Sequence, residues 1–127
     1  MKVSLSGLKA LCQSHVVELK FNRRRMKPGF PTSRRMLCTL DRAILQSPMG
    51  KQILHFRPPT QSPAYNAASY GLLTVWDIIQ QDWRNIPVEA VDVVASVTTK
   101  PPEKFWEWFI NSVAKMPSGR KAEFQNK

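Results

Sequence analysis

The chain has 127 residues, 43% of them hydrophobic and 22% charged, which fits one globular domain with a modest core and excludes a disordered polymer. No apolar run approaches the roughly eighteen residues that span a bilayer, and two cysteines, Cys12 and Cys38, are too few for a disulfide framework, so a reducing, cytosolic setting is expected. The net charge of +10 is one-sided: residues 1–57 carry twelve Lys/Arg against Glu18 and Asp41, whereas residues 58–127 carry seven of each sign.

The chain opens with Leu5, Leu8, Leu11 and Cys12 at helical spacing, with Ser4 or Ser6 as N-cap, which predicts a short helix. Ser6, Gly7 and Lys9 interrupt the apolar run, so it is not read as a signal peptide. In "VVELKFNRRR" the period changes to two. Val17, Leu19 and Phe21 face one way and Glu18, Lys20 and Asn22 the other, as in a half-buried strand. "KPGFPTS" holds two prolines and a glycine and predicts a loop. "RRMLCTL" resumes alternation, with Met36, Cys38 and Leu40 on one face, so the two strands read as a hairpin.

Asp41 is a candidate cap for a helical turn through Ile44 and Leu45, and Ser47-Pro48 is a second helix start. "ILHF", residues 53–56, resembles a short strand, and residues 58–70 read as an exposed loop. "GLLTVWDII" is the strongest strand signal, with Leu73 and Val75 opposing Leu72, Thr74 and Trp76. "QQD" turns it into "WRNIP", and Val88 to Val91 lead tightly into the last strand, "DVVASV". After Pro101-Pro102, "EKFWEWFINSVAKM" sets Phe105, Phe109 and Val113 four apart with Trp106 and Ile110 alongside, an amphipathic helix with a heavy aromatic face. Residues 117–127 read as a frayed polar tail.

Short strands with helices only at the ends predict a mainly β fold, a small barrel over residues 1–97 with an inserted loop and helical segment near residues 41–71. Residues 98–127 then form the aromatic helix and tail. "VVELKFNRRR", "RRMLCTL" and "LLTVWDIIQQDWRNIPVEAVDVV" resemble an uncharacterised family of small SH3-like β-barrel proteins of tailed bacteriophages. The pairing of Cys38-Thr39-Leu40 with Trp76-Asp77 and Trp83-Arg84 carries the resemblance, which spans about residues 16–96. It implies an SH3-like barrel, a viral origin and hence a host-cytoplasm setting. It implies no activity.

The residues form no recognisable catalytic motif. His15 and His55 have no His or Cys two to four residues after them, no serine sits in a nucleophile elbow, and the five glycines are scattered. No enzyme, cofactor or metal is expected. Asp77 and Asp82 read as turn-stabilising carboxylates, with an Asp77–Arg84 cross-strand pair, and Cys38 as a buried structural thiol.

The positive signal is residues 21–37, with six cations and no acid. A hairpin brings Arg23, Arg24, Arg25, Lys27, Arg34 and Arg35 together as a grip for phosphates, with Phe30 as a stacking candidate. Trp106 and Trp108, two positions apart, cannot both face inward from one helix, so one is expected to anchor a protein partner, a second copy of this chain or the barrel itself.

The leading expectation is sequence-nonspecific binding of DNA or RNA through the basic hairpin, without membrane association. One alternative is a phage adaptor or inhibitor that docks on an acidic face of a host protein in transcription, replication or defence, with a homodimer through the C-terminal helix as a further interaction. Another is a basic structural component of a large assembly.

Overall fold

The computed structural model describes residues 3–22, 33–58, 71–119 and Phe124. Five antiparallel strands form one sheet in the order β4-β3-β2-β1-β5: β1 His15–Asn22, β2 Ser33–Thr39, β3 Leu72–Asp77, β4 Asp82–Pro87 and β5 Val91–Thr98. Helix and strand occur in about equal amounts, so the fold is mixed rather than mainly β.

The expected closed barrel is not formed. The two edges, β4 and β5, share no ladder among the described residues. Pro87 ends β4 without an N–H to donate, and a 3-10 turn at Val88–Ala90 redirects the chain so that β5 returns to β1. Helix α1, Leu5–Cys12, covers this side of the sheet. Leu8 and Cys12 are buried with Val17, Leu19, Met36, Cys38, Leu73, Val75, Ile86 and Val91. Ser4 is its N-cap, accepting from the Gly7 amide at 3.1 Å.

The opposite face is also covered, which corrects the expectation of half-buried strands. Val16 of β1, Leu37 of β2 and Trp76 of β3 pack with Ile44, Leu45, Leu54, Phe105, Trp106, Phe109 and Val113. Helix α2, Arg42–Leu45, is capped by Asp41, and α3, Pro48–Ile53, by Ser47 with proline in its first turn, as the sequence predicts. The short strand expected at residues 53–56 is absent. Ile53 ends α3, and His55 at φ 55° turns the chain. Phe56 then meets Trp76 and Trp83 edge-on, at centroid distances of 5.3 and 5.8 Å.

The aromatic helix α4, Pro102–Trp108, continues as a π-turn at Phe109–Val113, where the Ala114 amide donates to the Phe109 carbonyl at 3.0 Å. In a straight α-helix, residues 105, 109 and 113 drift steadily around the axis. The wider turn brings Val113 back over the sheet and leaves Ile110 42% exposed, against the expectation that Ile110 joins the apolar face. The tail is anchored rather than wholly frayed, since Phe124 is fully buried and its carbonyl accepts from Gln80 Nε2 at 3.2 Å.

A buried polar knot ties β1, β2 and β5 together at one end of the sheet. The Thr39 hydroxyl lies 3.1 Å from the Cys12 carbonyl and 3.0 Å from that of His15, and accepts from the Asp41 amide at 3.1 Å. The Thr99 hydroxyl sits between the Ser14 carbonyl, at 3.0 Å, and the Asp41 carboxylate. Thr39→Val keeps the shape and strands the Asp41 amide, so urea denaturation is expected to show a loss of about 1–3 kcal/mol.

Candidate functional site

The basic hairpin divides into parts with different fates. Strands β1 and β2 pair from Val17–Cys38 to Asn22–Ser33, so the hairpin exists as expected. Arg23, Arg24, Arg25, Lys27 and Phe30 lie outside the described residues. Arg34 is not at an exposed tip. It is 7% exposed, and its guanidinium meets the buried Asp77 carboxylate at 3.3 Å. Strand alternation explains why: Arg34 shares its parity with Met36 and Cys38, and that face is the one covered by α1. Arg35 faces the other way, half-buried, and donates to Glu18 at 2.7 Å. Lys20, directly across from Arg35 in the ladder, is exposed.

Asp77 carries two jobs. Its Oδ1 accepts from the Ile79 and Gln80 amides at 3.1 and 2.9 Å, which fixes the turn into β4, while Oδ2 meets Arg34. The turn-stabilising expectation therefore holds for Asp77. Its expected partner Arg84 instead donates to Asp82 at 3.3 Å, because the ladder sets Asp77 opposite Asp82 and Arg84 opposite Val75. Burial pushes the Asp77 carboxyl above its ordinary value of 3.8. The Gln80 amide, Arg34, Arg84 and the Ile79 amide pull it down without offsetting the burial. Asp82 also receives Arg57 at 2.8 Å, and the Arg57 guanidinium lies 5.4 Å from the Trp76 ring centre.

Cys38 is buried as expected. Its hydrogen bond with Cys12 comes first among the causes that hold its thiol well above the ordinary value, and burial and the nearby Asp77 charge add to it. A thiol in that condition is a packing group rather than a nucleophile. Among the described residues, no three His, Cys, Asp or Glu side chains converge as a metal site.

The two helix tryptophans are separated by the fold. Trp106 is buried, edge-on to Phe105 and Phe109 at 5.0 and 5.8 Å, so it belongs to the core and is not available as a partner anchor. Trp108 is half-buried. Its ring leans on Phe105 at 5.9 Å and borders an open groove of about 310 Å³ between the sheet and the C-terminal helix. Glu18, Leu37, Ser112, Val113, Met116 and Pro117 complete the groove. Periodicity alone could not locate it, because the π-turn changes which residues of the helix line up.

No protein family, no curated protein and no solved structure matches this chain. No described helix is long and apolar enough to cross a membrane.

Proposed function

We propose that this chain is a non-enzymatic nucleic-acid-binding protein that grips the phosphate backbone, with little sequence preference, through the basic hairpin. The observation that carries the reading is where the acids go. The basic half of the chain has only Glu18 and Asp41. Glu18 is bound to Arg35, and Asp41 caps α2 and meets Thr99, so both are engaged inside the fold. The segment between β1 and β2 adds Arg23, Arg24, Arg25 and Lys27 with no acid of its own. A polyanion supplies the missing charge. The strand order, with the last strand back beside the first, is the connectivity of a five-stranded barrel before its edges meet, and supports the SH3-like reading.

With Arg34 buried, the grip consists of Lys20 and the four cations between β1 and β2, Arg23, Arg24, Arg25 and Lys27. About five neutralised phosphates give a log–log salt slope of roughly −4 to −5 on duplex DNA. Fluorescence anisotropy with labelled single- and double-stranded 20-mers is expected to show binding that persists at about 150 mM salt. Replacing Arg23, Arg24 and Arg25 together with alanine should reduce the slope by about 3. Binding that vanishes at that salt, or a slope the triple variant leaves unchanged, refutes the reading.

A further inference from the structure

We infer that the groove beside Trp108 seats an unpaired nucleobase, which makes the preferred ligand a single strand. This rests on the nucleic-acid reading above. The groove joins the two features that single-strand binders combine, an aromatic ring and adjoining cations. Its walls are Trp108, Leu37, Val113, Met116 and Pro117, with Ser112 and Glu18 as the polar residues. At about 310 Å³ it stands at the small end of ligand sites and has room for a planar ring system.

The lining fixes the orientation. The walls are mostly apolar and the one carboxylate, Glu18, is already paired with Arg35, so an uncharged base enters and the charged backbone stays outside. Arg35, 2.7 Å from Glu18, stands at the rim. Lys20 lies on the same face of β1 as Glu18, two residues on, a step of about 7 Å along the strand. That step suits a base in the groove with its phosphate on the Lys20 side. The Trp108 ring already rests against Phe105, tilted 41° to it at a centroid distance of 5.9 Å. In a duplex the bases are stacked on each other and cannot enter.

The test compares a labelled thymidine 20-mer, an abasic 20-mer with the same phosphates, and a duplex, by anisotropy at about 150 mM salt. Wild-type protein is expected to bind the thymidine strand about 5- to 150-fold more tightly than the abasic strand. Trp108→Ala should abolish that ratio and leave abasic binding unchanged. Ser112→Phe, which fills the groove from an exposed position, provides the same readout without removing the ring that leans on Phe105. Lys20→Ala should weaken both strands equally. Equal affinity of the wild type for thymidine and abasic strands overturns the groove assignment alone, leaves the phosphate-binding reading standing, and returns the groove to a protein side chain. If no strand binds, both fall.

Discussion

Replacing Asp77 with alanine is expected to cost about 3–5 kcal/mol of stability. The carboxylate is fully buried, so its removal takes a buried ion-pair contact from the Arg34 guanidinium, itself 7% exposed. The same substitution releases the Ile79 and Gln80 amides at the β3–β4 turn. Arg34→Met should be nearly as damaging alone, because it strands the Asp77 charge. The double variant should recover a large part of either loss, since an apolar pair avoids the desolvation that both ions suffer. Strict additivity of the two losses in urea denaturation would show that the two charges do not interact.

The pH dependence of this pair runs opposite to that of an ordinary surface carboxylate. Burial outweighs a single 3.3 Å contact with Arg34, so the folded-state pKa of Asp77 lies above its unfolded value. A raised folded pKa means that the native state holds the proton more tightly. The contribution is therefore fully present below the ordinary value near 3.8 and is lost as pH rises through the folded pKa. Asp77→Asn keeps an oxygen for the two turn amides and removes the titration. Wild type should consequently gain stability relative to Asp77→Asn as pH falls from neutral towards 3.8. A gap that narrows on acidification would mean that ion pairing, not burial, governs the site.

Most of the strands could be read from alternation, and the reason is local. Val17 and Leu19, Met36 and Cys38, Leu73 and Val75 repeat every two residues because one face of each strand meets α1. The caps at Ser4, Asp41 and Ser47 were equally legible, since a side-chain oxygen three or fewer residues from a free amide is a sequence-local device. What failed was non-local. Val16, Leu37 and Trp76 break the one-sided pattern because a second layer, brought from residues 42–54 and 102–113, covers the far face. The C-terminal helix gave its aromatic stripe but not its phase, because the π-turn depends on how Val113 must meet the sheet. Arg34 shows the cost of weighing residue type over parity: its alternation with Met36 and Cys38 placed it inside, while its charge suggested a surface. At the functional site, sequence could supply the basic segment, and only packing could show that Trp106 is consumed by the core while Trp108 borders a groove.

Gly50→Ala is expected to destabilise the protein by about 3 kcal/mol, although alanine is the better helix former by about 1 kcal/mol. A Cβ at this position would stand 2.1 Å from the Ile44 carbonyl oxygen and 2.6 Å from that of Leu45. Both are backbone atoms in the last turn of α2, so no rotamer change relieves the overlap, and α3 must move as a unit. The movement does not stop there. The Gly50 carbonyl accepts from the Leu54 amide at 3.0 Å and the Phe56 amide at 3.4 Å, and so sets where Phe56 meets Trp76 and Trp83. Lost stability should thus come with a changed near-ultraviolet circular dichroism signal from that aromatic group. Gly119→Ala, where a Cβ meets nothing within 4 Å, is the matched control and should be neutral or slightly stabilising. If Gly50→Ala behaved like Gly119→Ala, the close approach of α3 to α2 would be wrong. The placement of Phe56 over the Trp76–Trp83 pair, which seals that end of the far-side core, would then lose its support.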